Sequence, residues 1–256
     1  MRLGRILKPE RAAPYSQLAY IYDFVMRHVD YANWAAYLFR VFQKARVPVK
    51  EVLDISCGTG SLLLALREYD FRLAGLDASS HMLRVAQRRL RSHGLDIPLW
   101  QARMNAFAVA KPIQAVVCTY DSINYCLSIE EVKQTLINVS EVLRPGGVFV
   151  FDICTLANST KNFRHYYETD ATEEFSYVRK SYFQSRLKIQ VNKFLIRRHG
   201  SAFLEIHKQR IYRIEEIRAV IPEKRFDLVG IYDGFSFREG SEKSTRVHFC
   251  LRKVGA

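Results

Sequence analysis

Short, largely apolar runs alternate with segments of helical periodicity along much of this chain. Runs typical of parallel strands that are buried on both faces lie at 52–55, 71–77 and 113–119. Between them apolar residues recur every three or four positions, as at 62–69, which indicates amphipathic helices. Strands and helices in alternation predict an α/β fold with a doubly wound, mostly parallel sheet.

The N-terminal segment has a different character. Residues 1–14 are basic and contain prolines, so we expect them to form a loose arm. Ser16 is a candidate helix cap, and apolar stripes that begin at Leu18 and at Trp34 predict helices behind it. The segment is also unusually rich in aromatic residues, namely Tyr15, Tyr20, Tyr22, Tyr31 and Trp34.

Beyond residue 157 the apolar period changes to two. A tyrosine-rich, acidic linker is followed by runs that predict an antiparallel sheet, with strands at 175–184, 188–198 and 201–212. The pair His199-Gly200 predicts a tight hairpin turn. A helical segment at 214–221 and strand-like runs at 228–232 and 246–251 then close the chain. We therefore expect a core of residues 1–157 and 213–256 and an inserted antiparallel β subdomain of residues 158–212.

The run at 52–55 leads into a turn of small residues that suits a nucleotide-like ligand. Gly58 and Gly60 lack a Cβ, so the backbone can turn tightly and approach a ligand closely. Leu63 stands where a dinucleotide-binding fingerprint requires its third glycine, which counts against an oxidoreductase. Asp77 falls at the end of the next parallel strand, where a carboxylate can accept hydrogen bonds from ribose hydroxyls.

These residues belong to a series of motifs with a family likeness. Asp54, Ser56, Gly58 and Gly60 together resemble the first motif of the class I S-adenosylmethionine-dependent methyltransferases. Residues 120–125 resemble a loop of small bacterial methyltransferases related to the sugar N-methyltransferases. The sequence Leu-Arg-Pro-Gly-Gly at 143–147 is another recurrent mark of that fold, and Tyr22-Asp23 resembles the N-terminal lid of small-molecule methyltransferases.

The third strand departs from the family pattern at one position. Met104 and Phe107 match the family, but Arg103 stands where the family usually has an acid that accepts the adenine amino group. The arginine could stack on the base or reach solvent, and Asn105 could contribute instead. We therefore expect an atypical adenine side.

The resemblance implies a Rossmann-like fold with a seven-stranded sheet, an N-terminal helical lid and an inserted sheet that covers the active site or mediates dimerisation. It implies S-adenosyl-L-methionine as cofactor and S-adenosyl-L-homocysteine as product. The cofactor-binding residues that it implies are Tyr22, Trp34, Asp54, Ser56, Gly58, Gly60, Asp77, Ala78, Met82, Met104, Asn105, Tyr120 and Ser122. We expect the catalytic residues Tyr22, Asn124 and Tyr125 to orient the nucleophile on the acceptor side.

Composition narrows the choice of partners and compartment. The five cysteines include no Cys-x-x-Cys pair, so we expect buried, reduced thiols and neither a metal site nor a disulfide framework. No apolar run approaches the roughly 20 residues that span a bilayer, and we expect a cytoplasmic protein without a membrane partner.

The formal net charge is +13, and much of it falls in the insert. Ten basic residues lie between Arg179 and Arg213, where Glu205 is the only acid. This pattern fits a solvated outer face, an anionic substrate or a nucleic-acid backbone. It leaves the purpose of the insert open.

Three functions remain open on the sequence. The first is methyl transfer to an N or O nucleophile of a small molecule, anionic if the basic insert contacts it. The second is methylation of RNA, which is less favoured because no Asn-Pro-Pro-Tyr or Asp-Pro-Pro-Tyr motif follows the fourth strand. The third is a non-catalytic protein that binds adenosylmethionine, which Arg103 makes conceivable. A homodimer through the inserted sheet is compatible with each of them.

Overall fold

The computed structural model describes residues 8–255. Its strands are β1 (Glu10–Ala12), β2 (Glu51–Asp54), β3 (Arg72–Asp77), β4 (Leu99–Gln101), β5 (Ile113–Cys118), β6 (Leu143–Cys154), β7 (His165–Ala171), β8 (Phe175–Gln184), β9 (Ile189–Arg198), β10 (Ser201–Arg210), β11 (Phe226–Asp233) and β12 (Arg246–Lys253). Its α-helices are α1 (Tyr22–Val25), α2 (Tyr31–Lys44), α3 (Ser61–Leu66), α4 (Ser80–Ser92), α5 (Ile129–Val142), α6 (Leu156–Asn162) and α7 (Ile214–Arg218). Short 3-10 turns lie at Leu18–Tyr20, Arg67–Tyr69 and Ser122–Tyr125.

The larger sheet has seven strands in the order β11-β12-β6-β5-β2-β3-β4. Strands β6, β5, β2, β3 and β4 pair in parallel, and β12 is antiparallel to both of its neighbours. The predicted doubly wound, mostly parallel α/β sheet is therefore confirmed. Because parallel strands end at the same edge, Asp54 and Asp77 meet there as predicted.

Apolar residues fill both faces of this sheet. On β2, Leu53 packs into a cluster with Phe149 and with Leu136 of α5. Its neighbour Val52 points the other way and packs with Leu38 of α2. This alternation explains why the central strands have almost unbroken apolar sequences, since both faces are covered by helices.

Local capping fixes where the helices begin at the carboxyl edge of the sheet. Ser79 accepts a hydrogen bond from the backbone N–H of Met82 at 3.3 Å, which starts α4 as predicted. Ser128 and Glu131 form a reciprocal capping box at the start of α5. Helix α3 begins directly after Gly60, whose φ of 79° is left-handed.

The smaller sheet has five strands in the order β1-β10-β9-β8-β7. Strands β7 to β10 are antiparallel, and β1 pairs in parallel with β10. Two expectations are therefore corrected. The arm is not loose throughout, because Glu10–Ala12 hydrogen-bonds to β10, and the acidic linker contains strand β7. Residues 1–7 of the predicted arm lie outside the described residues.

The division of the chain into a core and an insert at 158–212 remains a prediction, although β7 to β10 all fall within those bounds. The five cysteines are all free and buried. Within residues 8–255, no helix combines the length and apolarity that a membrane crossing requires.

Candidate functional site

A cavity of about 540 Å³ opens at the carboxyl ends of β2, β3 and β4. We call it the strand-edge cavity. Residues from the glycine turn, the start of α4 and the N-terminal segment surround it. Its walls include Tyr15, Tyr22, Ser56, Gly58, Asp77, Ala78, Ser79, Met82, Gln101, Arg103, Met104, Ser122 and Tyr125.

The glycine turn leaves room for a ligand. Gly58 has a φ of 53°, and a Cβ built on it would have no atom within 4 Å. Its backbone N–H donates to Asp77 Oδ2 at 2.9 Å, which fixes the turn against β3. Gly60 has a different role, since a Cβ there would stand 3.3 Å from the Cβ of Ala86 on α4. One glycine thus opens the cavity and the other allows a helix to pack closely.

Two buried carboxylates give the cavity its electrostatic character. Burial, with a smaller contribution from the neighbouring Asp77, raises the pKa of Asp54 to about 7. Burial also raises the pKa of Asp77. Within the described part of the chain, neither carboxylate has a basic side chain within 4 Å. A ligand that carries positive charge would therefore be stabilised here.

Most predicted cofactor residues line this cavity, but five do not. Tyr22, Ser56, Gly58, Asp77, Ala78, Met82, Met104 and Ser122 line it. Asp54 lies behind the turn, where its Oδ1 accepts the backbone N–H of Ser56 at 2.9 Å, and Gly60 packs against α4. Asn105 is outside the lining, and Tyr120 lines a second cavity instead.

Trp34 lies away from the cavity lining in this structure, and its part in cofactor binding stays a prediction. Its side chain is buried in the core, with ring centroids 4.9 Å from Phe235 and 5.3 Å from His248, and it lines neither cavity. The helical period of α2 had already marked this position as a core position. Arg103, in contrast, lines the strand-edge cavity and lies 3.6 Å from a carboxylate oxygen of Glu131.

A second cavity of about 370 Å³ lies between the two sheets, and we call it the intersheet cavity. It shares Tyr15, Tyr22, Ser122 and Tyr125 with the strand-edge cavity, so these residues border both spaces. Polar side chains of the smaller sheet also line this cavity, namely Arg179, Gln190, Asn192, His207 and Gln209.

Arg246 closes one wall of the intersheet cavity. It forms an ion pair with Asp121 at 2.7 Å and a second, shorter one with Asp152. Burial lowers the pKa of Arg246, but the two carboxylates outweigh it and hold the pKa above its usual value. The arginine is therefore neutralised by its partners and contributes little free positive charge to the cavity.

Arg179 stands in a different environment. Its Nε donates to Ser181 Oγ at 3.2 Å, and its guanidinium lies 5.1 Å from the ring centre of Tyr166 and 5.4 Å from that of Phe194. Within residues 8–255, its ion-pair partner is Glu168, whose Oε2 lies 3.9 Å from the guanidinium nitrogen Nη1. Arg179 thus has its counter-ion, Glu168, at a longer distance than either carboxylate partner of Arg246.

Sequence reasoning missed a buried acid and histidine on β10. Glu205 Oε2 lies 3.0 Å from His207 Nε2, and His207 Nδ1 lies 3.2 Å from the hydroxyl of Tyr125. That hydroxyl in turn lies 2.5 Å from the hydroxyl of Tyr15. The signal was present in the sequence, because Glu205 is the only acid among ten basic residues, a setting in which a buried partner should be sought.

Asn124 is held in the interior by backbone groups, and its predicted catalytic role stays untested. Its side chain is completely buried, and its amide donates to the backbone carbonyl of Arg210 at 2.6 Å. Its Oδ1 accepts the backbone N–H of Cys154 at 3.0 Å. Asn124 therefore joins β6 to the end of β10 and does not face the cavity, whereas Tyr22 and Tyr125 do.

Comparison with known proteins agrees with this geometry. Residues 52–147 match the methyltransferase domain family. "Putative methyltransferase YqeM" of Bacillus subtilis (strain 168) is 30% identical over 244 residues, which cover 93% of this chain and 97% of that protein. The chain belongs to the S-adenosylmethionine-dependent methyltransferase family. A solved S-adenosylmethionine-dependent methyltransferase from Clostridium acetobutylicum ATCC 824 superposes on this methyltransferase with a TM-score of 0.79. It is 25% identical, and the match covers 94% of this chain and 99% of that one.

A more distant relative has a named substrate. The dTDP-3-amino-3,4,6-trideoxy-alpha-D-glucopyranose N,N-dimethyltransferase of Streptomyces venezuelae is 32% identical over 134 residues. The match covers 52% of this methyltransferase and 55% of that protein.

The strand-edge cavity fits the family's cofactor. S-adenosylmethionine carries a sulfonium and an ammonium group, and two buried carboxylates without basic partners suit such a ligand. Gly58 leaves space for its close approach. When bound, the cofactor supplies an activated methyl group.

Proposed function

We propose that the enzyme methylates a nitrogen or oxygen of a small polar molecule bound in the intersheet cavity. The observation that carries this proposal is the shared wall of the two cavities. Tyr15, Tyr22, Ser122 and Tyr125 line both, so a donor on one side and an acceptor on the other would meet at these residues. Holding two reactants in line contributes about 7–11 kcal/mol to such a displacement.

The two tyrosines from the sequence prediction keep their place in this proposal. Tyr22 and Tyr125 face the boundary between the cavities, and burial raises the pKa of both hydroxyls. Both therefore stay neutral, and each can accept or donate a hydrogen bond to the nucleophile. Tyr22→Phe and Tyr125→Phe should lower kcat more than they weaken binding of S-adenosylhomocysteine. Unchanged turnover in both variants would remove these residues from the mechanism.

We further propose that the acceptor carries an anionic group. Among the described residues, Arg179 has a single counter-ion, Glu168 at 3.9 Å, which does not line the cavity, while Arg246 is paired closely with two aspartates. A carboxylate or phosphate on the acceptor would complete the coordination of Arg179. The amino sugar of the Streptomyces venezuelae relative is attached to a diphosphate, which favours nitrogen as the nucleophile and a phosphate as the anion.

The smaller sheet has a direct part in this arrangement. Arg179, Asn192 and His207 reach the cavity from β8, β9 and β10, so the sheet forms the cover of the acceptor site in this proposal. Dimerisation through the same sheet stays a prediction.

The test follows transfer of label from methyl-14C S-adenosylmethionine to defined acceptors. The panel contains dTDP-linked amino sugars, amino sugar phosphates, their uncharged parent sugars and total RNA. We expect label in charged small molecules and a rise in KM of about 10- to 100-fold in Arg179→Gln. Arg186→Gln, at an exposed position in the turn between β8 and β9, is the control and should leave KM unchanged.

Two outcomes would contradict the proposal. Equal labelling of charged and uncharged sugars would remove the role of Arg179. Labelling of RNA alone would favour the RNA methyltransferase, which the basic surface of the insert allows.

A further inference from the structure

The hydrogen bonds around Glu205 and His207 have a direction. Glu205 is completely buried, and its oxygens accept the backbone N–H groups of Tyr15 at 2.7 Å and Gln17 at 2.6 Å. Burial raises its pKa, but hydrogen bonds from His207, Leu18 and Gln17 outweigh it and hold the pKa below its usual value. An ionised carboxylate can only accept, so His207 must donate to it through Nε2–H.

The remaining bonds follow from this constraint. In neutral His207 the other ring nitrogen, Nδ1, is an acceptor, and the Tyr125 hydroxyl donates to it across 3.2 Å. The oxygen of Tyr125 then accepts the hydroxyl proton of Tyr15 across 2.5 Å. The oxygen of Tyr15 is left as an acceptor at the wall that the two cavities share.

The backbone holds this row of groups in place. Tyr15 has a φ of 61°, a left-handed conformation that costs a non-glycine residue of order 1–3 kcal/mol. The bond from its N–H to Glu205 stabilises that conformation. The ring of Tyr15 packs 4.6 Å from the ring of His207, which fixes the hydroxyl near Tyr125.

We propose that Tyr15, Tyr125, His207 and Glu205 form a proton relay that removes the proton of the methyl acceptor. The inference rests on the proposed function in that the acceptor must occupy the intersheet cavity. His207 is 1% exposed and receives the proton through the tyrosines.

Each proton that moves along the relay leaves one bond and forms another. The N–H or O–H bond of the acceptor breaks, and the acceptor uses an electron pair to bond the incoming methyl carbon, while the old C–S electron pair stays on sulfur. The acceptor proton passes to the oxygen of Tyr15, the proton of Tyr15 passes to Tyr125, and that of Tyr125 passes to Nδ1 of His207. His207 becomes an imidazolium, and Glu205 compensates its charge.

Other charged groups near the relay must be considered in any pH experiment. On its own strand His207 faces Glu205, and from other elements it faces Tyr15 and Tyr125. Asp121 and Arg179 act on the Tyr125 hydroxyl in opposite directions. Their contribution is common to the parent enzyme and the His207 variant, so the comparison of the two isolates His207.

The first test needs no acceptor. Full-length protein labelled with 15N-histidine and 13Cζ-tyrosine is titrated by NMR, and His207→Gln assigns the His207 signals. We expect the Nε2–H tautomer at neutral pH. Protonation of His207 should shift the Cζ signals of Tyr125 and Tyr15, and Tyr125→Phe should abolish the shift at Tyr15. An Nδ1–H tautomer of His207 would overturn the relay. Cζ signals of Tyr125 and Tyr15 that do not shift with His207 would overturn it as well.

The second test measures kcat against pH with an acceptor from the charged panel. His207→Gln should lower kcat by about 10²–10³-fold and change the shape of the pH profile relative to the parent. Binding of S-adenosylhomocysteine should stay within about twofold. His199→Gln, at an exposed turn of the same sheet, is the matched control and should keep the parent profile.

The two proposals fail in different ways. A kcat within about threefold of the parent in both His207→Gln and Tyr125→Phe would refute the relay while leaving the methyl transfer intact. A panel in which no acceptor is labelled counts against the proposed acceptor class, and the NMR titration still decides the relay.

Discussion

Asp54 is the residue at which burial and function oppose each other most clearly. Its side chain is 1% exposed, and burial raises its pKa from 3.8 to about 7. Asparagine in its place keeps an oxygen that can accept the N–H of Ser56 but carries no charge. The substitution Asp54→Asn therefore tests the cost of the buried charge separately from the shape of the glycine turn.

The magnitude follows from the pKa difference. The unfolded state releases the proton near pH 4, while the folded state holds it until about pH 7, so the parent loses stability as pH rises through this window. Each pH unit in this window changes the free energy of unfolding by 1.36 kcal/mol, so the two units between pH 5 and about 7 amount to ~3 kcal/mol. Asp54→Asn should escape this loss.

The assay is urea unfolding of the ligand-free enzyme at pH 5 and pH 8. The free energy of unfolding of Asp54→Asn, measured relative to that of the parent, should be ~2–3 kcal/mol higher at pH 8 than at pH 5. Asp70→Asn, at a side chain that is 99% exposed, is the control and should show no such gain. An equal difference between Asp54→Asn and the parent at both pH values would refute the reasoning.

Three further results are expected. Binding of S-adenosylmethionine at pH 7 should release about half a proton from Asp54, measured by calorimetry in buffers of different ionisation enthalpy, and an uptake would contradict the assignment. Gly58→Ala should lower the free energy of unfolding by ~1–2 kcal/mol and weaken S-adenosylhomocysteine binding about tenfold. Gly94→Ala, also at positive φ, should lower the free energy of unfolding alone. Arg246→Met should lower the free energy of unfolding by ~3–5 kcal/mol because two buried carboxylates lose their partner, and a loss under ~1 kcal/mol would argue against the ion pairs.

The sequence locates the glycine turn and the strand-end acids because their determinants are local. Gly58 and Asp77 are placed by a strand followed by a turn, and each such unit is short enough to be read from its own residues. The positions of Trp34 and Asn124 could not be read in this way. Family likeness assigned their roles, whereas packing in the core and hydrogen bonds to distant strands decide where their side chains point.

The lining of the intersheet cavity could not be predicted because its residues meet only through tertiary structure. A period of two locates β10 but does not reveal that Glu205 faces inward and binds the backbone of residues 15–18. The pairing of β1 with β10 joins segments that are far apart in the chain, and no local pattern marks it.

The ion pairs of Arg246 also have a consequence for the order of folding. Asp121 and Asp152 are synthesised long before Arg246, which is 125 residues beyond Asp121. Until β12 emerges, a chain in which β5 and β6 have already paired would hold these two carboxylates without their cation. A chain truncated before β12 should thus leave Asp121 and Asp152 without their arginine at the wall of the intersheet cavity, which ties the completion of that wall to the last strand of the chain.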